Sequence, residues 1–219
     1  MTDSTLTHLY FLLDRSGSMQ SIRTDTTGGF DAFIEEQRSL PGRCRVTLAQ
    51  FDDSYEEVYA DRDLADVPPL DLVPRGSTAL LDALGRLITV AGERLAGLAE
   101  ADRPGSVIVG VMTDGMENAS REWTHPRIKE LIEQQTRDYG WQLLYLGADQ
   151  DAIEEGAKMG FAAGKSMTYS RGKAKESIGH LSANVGAYRS AVAAGAAPAA
   201  AQQLTDFSAE QRADAAETP

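Results

Sequence analysis

The sequence predicts an α/β domain of three layers, with a central, mostly parallel sheet, one antiparallel edge strand and helices on both faces. Two observations carry this reading. Short, continuous apolar runs, residues 8–13 and 106–113 being the plainest, alternate with longer stretches of helical periodicity. Strands that are apolar on both sides belong to parallel sheets covered on both faces. Residues 45–51 and 56–60 flank the turn residues Asp52-Asp53-Ser54, and that spacing reads as a hairpin contributing the antiparallel strand.

The elements follow in order along the chain. The first strand ends abruptly at Asp14, and Phe30, Phe33 and Ile34 then mark a helix from about Met19 to Ser39 that Pro41-Gly42 stops. After the hairpin and Pro68-Pro69, Leu80, Leu84, Leu87, Ile88, Ala91 and Leu95 form one apolar stripe, which predicts a helix from Ala79 to about Ala99. The strand over 106–113 also ends in an aspartate, Asp114. Pro126 suits the first turn of a helix bearing Ile128, Leu131 and Ile132. A strand over 141–146, a short helix over 152–159, a strand over 166–169 and a helix from Lys173 to about Ala194 complete the pattern. From Gly195 the composition turns to alanine and acidic or polar residues, so 1–194 reads as the domain and 195–219 as an Ala-rich acidic tail, expected to be mobile.

Composition narrows the function classes. Hydrophobic residues make up 42% and charged residues 25% of the 219, as in soluble globular domains. The net charge of −12 opposes binding to nucleic acid or to an anionic membrane surface, both of which call for a basic face. The first residues lack a basic leader region, and no apolar run approaches the roughly 18 residues that span a bilayer. The lone Cys44 has no partner within the chain and adjoins an apolar run, which reads as a buried free thiol in a reducing cytoplasm.

Chemistry concentrates where strands end. In open α/β sheets, ligands bind beyond the carboxyl ends of the strands, and two strands here stop at Asp14 and Asp114. Asp14-Arg15-Ser16-Gly17-Ser18 sets a carboxylate and two hydroxyls at alternate positions of one loop, with Gly17 permitting a sharp turn. Ser77-Thr78 sits directly before a helix. Such oxygen-only donors suit a hard divalent cation, Mg²⁺ above all, with Mn²⁺ or Ca²⁺ possible, and disfavour zinc. Taken singly, Asp14, Ser16, Ser18 and Thr78 are also ordinary helix N-caps. Glu117 and Asn118 read as a solvated loop, Asp52-Asp53 and Glu56-Glu57 as solvated turn and edge-strand charges, and Arg15 as facing either a partner carboxylate or water.

The joint pattern Asp14-x-Ser16-x-Ser18, Thr78 and Asp114 resembles the metal-ion-dependent adhesion site of von Willebrand factor A domains, and the order of elements fits from about residue 6 to at least 146. The chain looks like the small stand-alone bacterial members rather than an integrin inserted domain. The resemblance implies a Rossmann-like fold in which Ser16 and Ser18 are direct metal ligands and Thr78 is one in one state of the site. It implies that Asp14 and Asp114 act mainly through bound waters, and that the partner is a protein donating an Asp or Glu carboxylate. It implies a binding module, not an enzyme, or a regulatory subunit docking on an AAA+ ATPase or chelatase. A haloacid-dehalogenase-type phosphotransferase is the enzymatic rival, but it needs a second aspartate where Ser16 stands, as proton donor. A phosphate-binding loop at Gly160–Ser166 is one residue short in spacing and follows a helix. His8, His125 and His180 form no recognisable catalytic set.

Overall fold

The computed structural model describes residues 2–149 and 151–217. Among the described residues, six strands form one sheet in the order β3-β2-β1-β4-β5-β6: β1 (Asp3–Asp14), β2 (Arg43–Phe51), β3 (Tyr55–Asp63), β4 (Pro104–Thr113), β5 (Gln142–Ala148) and β6 (Ser166–Tyr169). Among these strands only the β2–β3 pair is antiparallel, as the hairpin spacing predicts. The helices are α1 (Arg23–Arg38), α2 (Leu80–Gly97), α3 (His125–Tyr139), α4 (Ala152–Met159), α5 (Ala174–Ala193), α6 (Pro198–Ala201) and α7 (Ala209–Ala216).

The alternation of side chains along β1 explains the layers. Leu9, Phe11 and Leu13 enter a core with Phe30 and Phe33 of α1 and Ile178, Leu181 and Val185 of α5. Tyr10 and Leu12 face the opposite way, into a core with α2, Ile128 and Ile132 of α3, and Met159 of α4. Gly29 lies inside α1 because a Cβ there would come within 2.9 Å of Ile178 Cδ1 and 3.3 Å of Lys175 Cα. The glycine lets α1 and α5 approach closely, offsetting its poor helix propensity. Gly160, read above against a phosphate-binding loop, ends α4 in the left-handed region at φ 94°. Cys44 is buried, and burial pushes its thiol up to about 11. His8 is buried with Nε2 2.9 Å from Thr47 Oγ1. Among the described residues no helix is long and apolar enough to cross a membrane.

The C-terminal segment departs from the sequence expectation. Residues 195–217 fold back onto the domain instead of leaving it. The Phe207 N–H donates to Gly164 O (2.8 Å) and the Ser170 N–H to Ala215 O (2.8 Å). Arg212 reaches the carbonyls of Ala163 and Ser166, and Ala201, Thr205, Phe207 and Ala215 are buried. Ser208 and Gln211 form a reciprocal cap at the start of α7. Composition misleads here because alanines pack against a neighbour without a broad apolar stripe, and one large side chain, Phe207, anchors the segment. The result covers β6, an edge strand that would otherwise expose unpaired backbone groups. The last two residues of the expected tail, 218 and 219, lie outside the described residues. Truncating the buried Phe207 to Ala is expected to destabilise the chain by about 3–5 kcal/mol, measured by urea denaturation; an unchanged midpoint would show that the segment is not docked in solution.

Candidate metal centre

The sheet order places β1 between β2 and β4, and α1 and α2 leave on opposite faces, so a crevice opens at the carboxyl ends of β1 and β4. Three loops meet there. The first begins where the Arg15 N–H makes a last ladder bond to Phe51 O (2.7 Å), after which residues 16–18 turn away from the sheet. The second precedes α2. It is tied to the first by bonds from the Arg75 N–H to Arg15 O (2.7 Å) and from the Gly17 N–H to Gly76 O (3.2 Å), with Gly76 at φ 68°. The third follows Thr113 at the end of β4.

All five residues singled out by sequence converge. Asp14 Oδ1 accepts the Ser16 N–H (2.6 Å), Ser16 Oγ lies 2.9 Å from Ser18 Oγ, and Ser18 Oγ donates to Asp114 Oδ1 (2.6 Å). A Cβ on Gly115 would stand 2.8 Å from Thr78 Oγ1 and 3.5 Å from Ser18 Oγ. Thr78 therefore faces the same spot, and glycine at 115 leaves that spot open. The alternative reading of these residues as helix caps finds no counterpart. Ser16 precedes a short 3-10 turn without a capping bond from its side chain, and α2 begins after Ala79, likewise without a capping bond from the residue at its N-cap.

The cap of α2 comes from the third loop: Glu117, read as solvated, is half-buried, while Asn118 is exposed as expected but also bonds the second loop. Glu117 Oε2 accepts the Leu81 N–H (2.9 Å), Asn118 Oδ1 the Thr78 N–H (3.0 Å) and Ser120 Oγ the Asp82 N–H (3.0 Å). Asp82 in return accepts the N–H groups of Arg121, Glu122 and Trp123. Two further readings change. Asp52 is buried rather than solvated, and Arg15 turns inward, paired with Asp52 (3.0 Å) and with Glu56. Sequence offered one overlooked signal: Thr113 directly precedes Asp114, and its hydroxyl lies 2.5 Å from Asp14 Oδ2. Arg171, which no motif marks, brings Nε to 3.6 Å from Asp114 Oδ2 and 3.2 Å from Asp149 Oδ2.

The electrostatics favour a cation. Burial pushes the Asp14 carboxyl up to about 6 against the hydrogen bonds from Thr113 and Ser16, and burial also raises Asp114 against Ser18 and Arg171. Asp114 Oδ2 is buried without a hydrogen-bond partner among the described residues, a costly arrangement for a carboxylate oxygen. Among the described residues no cluster of three or more His, Cys, Asp or Glu side chains is arranged to hold a metal. The donors here are two carboxylates and three hydroxyls, and this set fits a hard, oxygen-seeking cation.

A carboxyl whose folded pKa is raised from 3.8 to about 6 penalises the folded state as pH rises through that interval, by on the order of 3 kcal/mol once ionised. In EDTA at pH 8, Asp14→Asn is therefore expected to melt above the wild type, and to lose that advantage at pH 4. The Thr113 hydroxyl accommodates the amide, because it can accept from it and turn its own proton to Gly115 O, 3.0 Å away. A lower melting temperature than wild type at pH 8 would contradict the burial argument.

No family model matches the sequence, and no curated protein matches it. Solved structures do resemble it. Proximal thread matrix protein 1 from the mussel byssus, in a structure with a zinc-occupied MIDAS motif, superposes with a TM-score of 0.57 at 18% identity over 80% of this chain and 46% of its own. The ArnB paralog VWA2 from Sulfolobus acidocaldarius gives 0.52 at 15% identity over 80% and 44%. The vWF domain of the type V pili tip protein Mfa5 from Porphyromonas gingivalis gives 0.54 at 10% identity, over 82% of this chain and 94% of its own. The chain thus spans under half the length of the first two and nearly all of the third. Its six-stranded sheet, single antiparallel edge and switch-point crevice, together with these likenesses, give the chain the fold of the von Willebrand factor A domains.

Proposed function

We propose that the chain is a divalent-cation-dependent protein-interaction module and not a catalyst. The observation that carries this reading is the convergence of Ser16, Ser18 and Thr78 hydroxyls with Asp14 and Asp114 at one crevice, with Asp114 Oδ2 buried, without a hydrogen bond among the described residues and met only at 3.6 Å by Arg171 Nε. Ser16 and Ser18 act as direct ligands, and Thr78 completes them from the second loop. Asp14 and Asp114 balance the charge, Asp14 while bonded to the Ser16 N–H and Thr113, and Asp114 while accepting from Ser18.

Neutral hydroxyls leave a bound cation most of its charge. The ion, when bound, supplies an open coordination position for a partner's Asp or Glu carboxylate. The mussel protein with a zinc-occupied MIDAS motif supports a divalent ion at this place in the fold. The all-oxygen donors of this chain, without thiol or imidazole, favour Mg²⁺ or Mn²⁺ over zinc. The enzymatic rival gains nothing from the geometry, because Ser16 stands where the proton donor is required, and its hydroxyl is turned to Ser18.

Two outcomes are expected. Mg²⁺ or Mn²⁺ at about 100 times its Kd should raise stability by about 2.7 kcal/mol, read as a shift in melting temperature relative to EDTA. The Ser16→Ala/Ser18→Ala double variant should fold and show no shift; an equal shift in the double variant would place the cation elsewhere. In affinity purification, proteins captured in Mg²⁺ should elute with EDTA and be absent with Asp14→Ala. Capture that survives both EDTA and Asp14→Ala would sink the proposed mode of binding.

A further inference from the structure

We propose that Asp52 is a positioning residue for this centre, holding the Ser16–Ser18 loop and the Thr78 loop in register through Arg15 and Arg75 without touching the cation. The inference rests on reading the five convergent residues as a cation site. Asp52 lies in the turn between β2 and β3, 1% exposed, and each of its carboxylate oxygens accepts two donors. Oδ2 takes Arg15 Nε (3.0 Å) and Arg75 Nε (2.8 Å); Oδ1 takes the Ser54 N–H (2.8 Å) and hydroxyl (2.7 Å).

The two arginines belong to different loops of the centre. Arg15 directly follows Asp14 and precedes Ser16, and Arg75 stands three residues before Thr78. The backbone of Asp52 adds a third tie, because its carbonyl accepts the Ala79 N–H (2.8 Å), the residue after Thr78. The second loop lies so close to this turn that a Cβ on Gly76 would meet Asp52 Cβ at 3.3 Å. One carboxylate thus sets the separation between the loop that carries two of the hydroxyls and the loop that carries the third. An amide in its place cannot hold both guanidiniums on one oxygen with the same strength, since it lacks the negative charge that attracts the two cations.

A purely structural ion pair would give the same picture, and Arg75 separates the two roles. Its side chain is 59% exposed, so removing it empties no core, yet it removes the side-chain tie between the Thr78 loop and the Asp52 carboxylate, leaving only the backbone bond from the Ala79 N–H. The test measures Mn²⁺ affinity on the full chain by the electron paramagnetic resonance signal of free Mn²⁺, alongside melting temperature in EDTA. Arg75→Gln is expected to weaken Mn²⁺ binding by about tenfold, in the range seen when residues that orient metal ligands are lost, with little change of melting temperature in EDTA. Asp52→Asn should weaken it further, and Arg75→Lys, which keeps a cation within reach of Asp52, should recover part of the loss. Glu57→Gln, a change on the same hairpin as Asp52 that breaks the pair with Arg94 of α2, should bind as the wild type does.

Because Arg75 acts through Thr78, its effect should largely disappear in a Thr78→Ala background, as expected of coupled residues in a double-mutant cycle. Wild-type affinity in both Arg75→Gln and Asp52→Asn, or an Arg75→Gln effect undiminished by Thr78→Ala, overturns the positioning role while leaving the cation site standing. A wild type that binds no Mn²⁺ overturns both. Should Asp52→Asn not fold in EDTA, the exposed Arg75 variants decide the matter alone.

Discussion

Two carboxylates buried side by side at the ends of adjacent parallel strands form the constraint on which the surrounding structure turns. Asp14 and Asp114 close β1 and β4, neither is exposed to solvent to any useful degree, and burial raises the pKa of both. A protein can keep such groups only by surrounding them with donors or by holding a cation beside them. The chain uses donors from three loops: the Ser16 N–H and Thr113 hydroxyl for Asp14, and the Ser18 hydroxyl for Asp114. One oxygen, Asp114 Oδ2, is left without a hydrogen bond among the described residues, with Arg171 Nε 3.6 Å away.

The rest of the architecture reads as support for that cluster. The crevice exists because helices cover β1 and β4 from opposite faces, and it stays open because residue 115 is glycine. The loops are fixed by bonds that run between them rather than within them. Glu117, Asn118 and Ser120 cap α2 from the third loop, Asp82 clasps the far end of that loop, and Asp52 joins the first and second. Asp52 shows how context decides the fate of a buried charge. Burial opposes its ionisation, yet the bonds from Arg75 and Ser54 and the charge of Arg15 hold it well below the usual carboxylate range. Asp14, without a neighbouring arginine bond, moves the other way.

The overall charge of −12 and the proposed capture of an acidic partner act on different length scales. Exposed charges are screened over about 8 Å at physiological ionic strength, whereas a divalent ion attracts a carboxylate at bond distance. The exposed guanidinium of Arg75 and the half-exposed one of Arg171 further offset the acidic surface close to the crevice.

Sequence by itself determined the layers, the order of strands and helices along the chain, and which five side chains meet at the crevice. These follow from periodicity and from residue types at strand ends, both of which are local properties of the chain. Even the bounds of α4 and β6 are legible, since left-handed Gly160 and short apolar runs leave little choice. Tertiary structure alone decided the rest. Asp52 and Arg15 are hydrophilic residues in a turn and a loop, and only the pairing of one with the other, 37 positions apart, makes their burial tolerable. Glu117 and Asn118 became caps because α2 begins without one of its own. The alanine-rich segment after 194 docks because Phe207, Ala201 and Ala215 find complementary surfaces on β6 and α5. Each of these outcomes depends on a partner distant in sequence, and no pattern within a single segment encodes a long-range contact.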